Sequence, residues 1–304
     1  MADGAAFPEN YSVSVLILLT NDDGVYAPGL AAMGRALERL GEVYVVAPAT
    51  EQSGVGHAIT YLTPLLVKQL CDHDARPGSV GRRWAVQGSP ADCVKIGITR
   101  FCPRQPDLVV SGINAGLNAG INVLYSGTVA AAIEGAFFGV TSVAVSLERA
   151  AAAVNELDQF AEAAELAAAI IEQILAKKGP EAQLYNLNIP TAALGGRGKT
   201  GTGSEPAREG IGERTSGEVP VPVFPPEVCV VPMNVTRYGD SFEKRTDPWG
   251  RDYYWFSGGP PASAPGHETD LSALAKGKIT LTPLDYDLTR RAALAAMEQW
   301  QFNL

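Results

Sequence analysis

Residues 13–48 read VSVLILLTNDDGVYAPGLAAMGRALERLGEVYVVAP, and this stretch decides the fold. Val13–Leu19 is an unbroken run of leucine and β-branched residues apart from one serine, the composition of a strand buried on both faces. Pro28 opens a helical pattern that sets Leu30, Met33, Leu37 and Leu40 on one face, and Gly41 reads as the C-terminal stop of that helix. Val43–Ala47 is a second buried strand. Strand, helix and strand in this order form a βαβ unit, with parallel strands and a right-handed crossover.

The alternation continues along the chain. Ala58–Leu66 reads as extended. Ser89-Pro90-Ala91-Asp92 supplies an N-cap, a proline at the first helical position and an acid in the first turn, for a helix to about Thr99. Asp107–Ser111 is a buried strand, followed by a Gly/Asn-rich loop over Gly112–Gly127 and a small-residue helix over Thr128–Phe138. Thr141–Leu147 and Leu184–Ile189 are strands on either side of an amphipathic helix over Glu156–Ala176. Lys278–Leu284 is a late strand and Leu288–Trp300 a closing helix. The expected architecture is an α/β, three-layer α/β/α sandwich around a mostly parallel, Rossmann-like central sheet, one domain over residues 1–304. Residues 191–227 are rich in Gly, Pro and charge, and 228–256 are dense in aromatics; 191–260 is expected to be an accessory excursion on the sheet.

The 304 residues carry 24 Lys+Arg against 33 Asp+Glu, a net charge of −9, and 46% are hydrophobic. Mean hydropathy is +0.03 and the isoelectric point about 4.9. Ample core material excludes a disordered chain. The acidic balance without a basic tract argues against grip on a nucleic-acid polymer, although a metal ion can bring positive charge to a small phosphorylated substrate. Cysteines at 71, 93, 102 and 229 make no CxxC pair, so reduced thiols in a cytoplasmic protein are expected. The first ten residues lack a basic leader region, and the apolar run before TNDDG is too short to span a membrane.

In open α/β sheets ligands gather beyond the carboxyl ends of the strands. The first strand delivers Thr20-Asn21-Asp22-Asp23-Gly24, the second Pro48 to Gly54, and the strand at 107 delivers Ser111 to Gly116. Asp22 and Asp23 are adjacent carboxylates that repel unless a cation compensates them, and Mg²⁺ or Mn²⁺ suits oxygen donors. Asn-Asp-Asp-Gly is also ordinary turn chemistry. Gly24, and Gly29 likewise, allow close backbone approach. Ser53, in a Ser-Gly loop, can ligate a metal or lend N–H groups to an anion, or lie in a plain connector. Asn114 and Asn118 offer neutral amide oxygens suited to a metal site, in a loop that also reads as Asn/Gly turns. Ser126-Gly127-Thr128 open a helix whose N-terminus can hold phosphate, and the same residues serve as simple caps. His57 reads equally as a polar neighbour of the site or a surface residue. Together these strand ends offer a hard metal beside a phosphate-shaped helix terminus, the apparatus of metal-assisted phosphate monoester hydrolysis.

At this point the chain resembles the SurE-type survival proteins, metal-dependent 5′/3′-nucleotidases. The resemblance is carried by ILLTNDDGVYAPGL at 17–30, VVAPATEQSGVGHAIT at 45–60, VQGSPADCVKIGI at 86–98 and PDLVVSGINAGLNAG at 106–120. It continues through YSGTVAAAIEGAFFGVTSVAVSL at 125–147, YNLNIP at 185–190 and LTPLDYDLT at 281–289. It implies one divalent metal on Asp22, Asp23, Ser53 and Asn114, with Asp22, Asp23 and Asn114 catalytic. It implies an anion site around Ser126, Gly127 and Thr128, and Asn118 is expected to bind the substrate phosphate with them. Nucleoside monophosphates are the implied substrates, with short polyphosphate as a side activity. A homodimer or homotetramer is implied, joined by a C-terminal hairpin arm that RYGDSFEKRTDPWGRDYYWFSGG at 237–259 resembles; a local aromatic mini-core is the other reading of that segment.

Other chemistries fit less well. An aspartyl-phosphate mechanism needs two aspartates two positions apart, which neither Asp22 nor Asp23 provides. The first strand–helix turn lacks GxGxxG, so dinucleotide binding is disfavoured. No histidine pair has zinc spacing and no GxSxG is present. A non-catalytic nucleotide- or metal-binding module shares the same residues and differs only in lacking turnover.

Overall fold

The computed structural model describes residues 14–70, 82–149, 156–195, 226–236, 239, 241–257 and 266–302. In chain order its strands and α-helices are β1 (Val15–Thr20), α1 (Pro28–Leu37), β2 (Gly41–Pro48), β3 (Leu66–Gln69), β4 (Arg83–Gln87), α2 (Pro90–Ile96), β5 (Leu108–Ala115), α3 (Gly127–Phe137) and β6 (Thr141–Leu147). They continue with α4 (Glu156–Lys177), β7 (Leu184–Ile189), β8 (Val228–Val230), β9 (Phe242–Thr246), β10 (Asp252–Phe256), α5 (Asp270–Leu274), β11 (Ile279–Leu284) and α6 (Arg291–Met297).

The main sheet has the order β3-β4-β2-β1-β5-β6-β7-β11-β8. Its centre, from β4 to β7, is parallel; β3 pairs antiparallel to β4, and β11 antiparallel to β7. This is the mostly parallel α/β sandwich expected. The central strands are buried on both faces, as their unbroken apolar runs require. On one face α1 and α4 join a core of Leu30, Met33, Leu37, Phe160, Ala164 and Ile171. Each large aliphatic side chain so buried contributes about 1.5–3 kcal/mol of transfer free energy. On the other face α2 and α3 pack together, over Cys93, Val94 and Ala131 in one cluster and Val129, Ala132 and Ala144 in another.

Chain order reverses direction in the sheet between β1 and β5: β1 leads outward to β2 and β4, then the chain returns to β5 on its other side. That switch point is where a doubly wound sheet leaves a crevice.

Several boundaries differ from the sequence reading. Gly41 does not stop α1. The helix ends at Leu37 with Glu38 as its cap, and Gly41 starts β2, close against the Val15 carbonyl. The segment expected to be extended at 58–66 is irregular until β3 begins at Leu66. The helix from Pro90 turns π-helical over Gly97–Phe101. The closing helix is shorter than expected, and none of its residues is buried. Most of 191–227 lies outside the described residues. Beyond it β9 and β10 form a separate antiparallel hairpin, joined to no strand of the main sheet. Among the described residues its aromatics make no mini-core. Phe242, Trp249, Tyr254, Trp255 and Phe256 are exposed, with one edge contact, Phe242 on Phe256; Tyr238 lies outside the described residues.

Candidate functional site

The switch-point crevice opens as a cleft of about 510 Å³, and Asp22, Asp23, Ser53, Asn114, Asn118 and Ser126 all line it. Each arrives by a different route. Asp22 and Asp23 follow β1 directly. Ser53 lies in the loop after β2, which is hung on the β1 turn by Gln52 N–H donating to the Asp22 carbonyl at 2.7 Å. Asn114 lies near the end of β5, where pairing with β6 shifts register between Ser111 and Asn114. Its amide nitrogen donates to the Gly116 carbonyl at 2.7 Å, which leaves the amide oxygen to face other donors or a cation.

Asp22 is buried, and the first turn of α3 holds it: Thr128 N–H donates to Oδ2 at 3.2 Å and the Thr128 hydroxyl to Oδ1. A Cβ at Gly127 would stand 3.0 Å from the Asp22 side chain, so a larger residue there would press on the carboxylate. Asp23 accepts the Ala115 N–H at 3.1 Å. Burial raises the pKa of Asp22 despite the Thr128 hydrogen bonds. Burial, followed by the charge of Asp22, pushes Asp23 up to about 6.

Thr128 and Gly127 do not line the cleft. Both Thr128 donors go to Asp22, and Val129 N–H goes to the Ser126 hydroxyl at 3.1 Å. Among the described residues this leaves Gly127 N–H as the helix-start amide with no protein partner. Asn118 is similarly engaged. Its side-chain nitrogen donates to Ser146 at 2.9 Å, and its backbone oxygen accepts from Asn186 and Asn188. Its amide therefore anchors the loop to the sheet face. His57 does not line the cleft; its Nε2 lies 2.8 Å from Glu134 Oε2.

Two charged residues in the cleft wall escaped the sequence reading. Glu51 adds negative charge near both aspartates, and Arg149 supplies positive charge that opposes the rise at Asp23. Arg149 stands just past β6, so reading the polar end of that strand, Glu148-Arg149, would have found it.

Among the described residues no three His, Cys, Asp or Glu side chains gather as a metal cluster. Any cation in the cleft would rely on Asp22 and Asp23 completed by neutral hydroxyl and amide oxygens. That all-oxygen donor set suits a hard divalent cation. Two neighbouring carboxylates whose pKa values are both raised are the physical sign that a positive charge is wanted there. The remaining thiols are uninvolved: Cys93, Cys102 and Cys229 are free, and burial lifts Cys93 well above its ordinary value. No helix among the described residues is long and apolar enough to cross a membrane.

Comparison with known proteins places this cleft in context. Residues 17–205 match the family model described as Survival protein SurE. The chain is 52% identical over 288 residues to a 5′-nucleotidase SurE of Rhodopirellula baltica, covering 94% of this chain and 99% of that one. It is 38% identical to a 5′-nucleotidase SurE of Heliobacterium modesticaldum, covering 93% and 91%. The crystal structure of the SurE protein from Aquifex aeolicus superposes with a TM-score of 0.70 at 30% identity, covering 93% of this chain and 98% of that one.

Proposed function

The chain belongs to the SurE family, and from that premise we propose that it is a metal-dependent 5′-nucleotidase, hydrolysing nucleoside monophosphates to nucleoside and phosphate. The observation that carries the reading is the Asp22–Asp23 pair at the β1–β5 switch point, both raised in pKa and facing a cleft that also holds Ser53 and Asn114. One divalent cation, Mg²⁺ or Mn²⁺, would be held by Asp22, Asp23, Ser53 and Asn114. When bound, it neutralises phosphate charge and makes nearby water more acidic.

This chain's own residues do the rest. Thr128 fixes Asp22 against the helix start. Ser126 lines the cleft at the N-terminal, positive end of the α3 dipole, which favours an anion such as the phosphate. Arg149 adds a cation on the cleft wall, and Asn118 holds the loop between the metal and phosphate sides. Asp22, Asp23 and Asn114 are the residues assigned to catalysis, with an aspartate steering the proton of the attacking water. Short polyphosphate presents the same terminal phosphoryl group and is a candidate side substrate. The reading also takes the protein to work in the cytoplasm without a nucleic-acid polymer or membrane partner.

The test is release of inorganic phosphate from AMP or GMP. Turnover is expected with Mn²⁺ or Mg²⁺ and none after EDTA. Saturable nucleotide binding without turnover would identify a binding module instead.

A second copy of this chain is the proposed partner, through residues 237–259, in a homodimer or homotetramer. A lone two-stranded ribbon is marginally stable in water, yet β9–β10 carries a row of exposed aromatics of the kind that anchor interfaces. Deleting 237–259 is expected to reduce the assembly on sedimentation while the thermal transition of the main sheet persists. An unchanged oligomer after deletion would remove the arm from the interface.

A further inference from the structure

We propose that His57 is a positioning residue, a latch that holds the Ser53-bearing loop against α3 and thereby sets the affinity of the cleft for its divalent cation. The inference rests on the metal centre proposed above.

The loop from Ala49 to Thr60 has no regular secondary structure. Backbone and cap contacts tie it down: Gln52 N–H to the Asp22 carbonyl at 2.7 Å, Gly56 N–H to the Tyr125 carbonyl at 3.2 Å, and the Ser89 hydroxyl to the Ala58 carbonyl at 2.6 Å. Ser53 itself is exposed, and its hydroxyl donates to Glu51 Oε1 at 2.6 Å, within the same loop. Nothing among the described residues outside the loop grips the Ser53 side chain. Its position therefore depends on how the loop as a whole is held.

The far end of the loop is tied by the Thr60 N–H and hydroxyl, which donate to Asp92 at 2.9 and 2.6 Å; nearer Ser53, His57 supplies the side-chain tie. Its Nε2 lies 2.8 Å from Oε2 of Glu134, while Oε1 of Glu134 accepts from Lys95 Nζ of α2 at 2.7 Å. Glu134 is 2% exposed, so it is a fixed post. Burial pushes its pKa up, but the hydrogen bonds from His57 and Lys95 outweigh that and hold it below the ordinary value. The His57 ring also stacks on Phe137, with centroids 5.4 Å apart and planes 21° from parallel. Glu134 and Phe137 both belong to α3, the helix whose first turn clamps Asp22 through Thr128. One rigid helix thus places two of the proposed ligands: Asp22 from its first turn, and Ser53 from its far half through His57. Removing His57 leaves Glu134 paired with Lys95, so the buried carboxylate keeps a cationic partner and the fold survives.

The experiment measures Mn²⁺ binding by electron paramagnetic resonance, without nucleotide, in wild type, H57A and H57Q, together with amide hydrogen exchange over residues 50–57. H57A is expected to weaken Mn²⁺ about tenfold, the scale seen when a supporting partner of a ligand is lost. Exchange at Gln52 and Gly56 should accelerate in H57A, and the melting temperature should hold within a few degrees. H57Q, whose side-chain N–H still reaches Glu134, should recover most of both. Mn²⁺ binding by H57A as tight as wild type, or no recovery in H57Q, overturns the latch. A wild type that binds no Mn²⁺ overturns the metal centre itself. The latch then falls as well if exchange over 50–57 is the same in H57A and wild type.

Discussion

Asp23→Asn is expected to lower the rate of phosphate release by about 10²–10³-fold or more, the cost of removing one preorganised charge from a catalytic centre, and to make the metal-free protein more stable. The two effects share one cause. An unfolded aspartate titrates near 3.8, whereas Asp23 in the fold is held at about 6 by burial and by the charge of Asp22. The folded state therefore binds this proton more tightly than the unfolded state. Without metal, stability is greatest with Asp23 protonated, falls as the pH rises from about 4 through 6, and stays at the lower level at pH 7. Asparagine removes the charge, so the variant should gain on the order of 1–3 kcal/mol at pH 7 and nothing below about pH 4. Added Mn²⁺ should raise the melting temperature of wild type, not of the variant, and less below pH 6, where the proton competes for the same oxygen. Thermal melts after EDTA treatment, at pH 4 and pH 7, check the sign. A variant equal to wild type in turnover, or less stable at pH 7, would place Asp23 outside a metal centre. Asp22→Asn should lose activity as well, without the stability gain, because the Asp22 carboxylate accepts both Thr128 hydrogen bonds.

How much of this was legible in the sequence follows from how each element is held. β6 and β7 are readable to the residue because these largely buried strands are runs of apolar and small polar side chains, broken only by Tyr185, and loops bound them sharply. α3 is readable from its Ser126 cap and α4 from its periodic apolar face. β3 was not: all four of its residues are exposed on a sheet edge, so no burial pattern distinguishes it from loop. β4 and α5 are short and held by tertiary contacts, α5 through Asp270, which accepts from Gly120 and Asn234 N–H groups far away in the chain. The proposed ligands are legible as candidates because each follows or ends a strand whose apolar run is plain in the sequence. What periodicity could not show was division of labour among neighbours. Thr128 looks like a phosphate donor in a helix-start motif, and the fold spends both its donors on Asp22. Arg149 looks like a surface charge, and the fold stands it on the cleft wall.

The same close packing gives the second large effect, this time on stability. Gly29→Ala is expected to destabilise the fold by about 1–3 kcal/mol, the range for forcing extra atoms into a packed interior. A Cβ at residue 29 would lie 2.1 Å from the Ile113 carbonyl oxygen and 3.0 Å from the Phe160 ring, and the oxygen belongs to the backbone of β5, which has little room to yield. The first turn of α1 rests directly on that strand, one residue before Asn114. The displacement therefore falls on a proposed metal ligand, and Mn²⁺ affinity should drop along with stability. Gly34, in the same helix, is the internal control. A Cβ there meets only a Leu19 methyl at 3.4 Å, ordinary contact distance. Gly34→Ala should be neutral or stabilising by about 0.5–1 kcal/mol through helix propensity, with metal binding untouched. Denaturant titration of the two variants separates contact from propensity, since both make the same chemical change in one helix. Equal midpoints would mean that α1 does not seat on β5 as closely as described, and Asn114 would lose the support that holds it at the cleft.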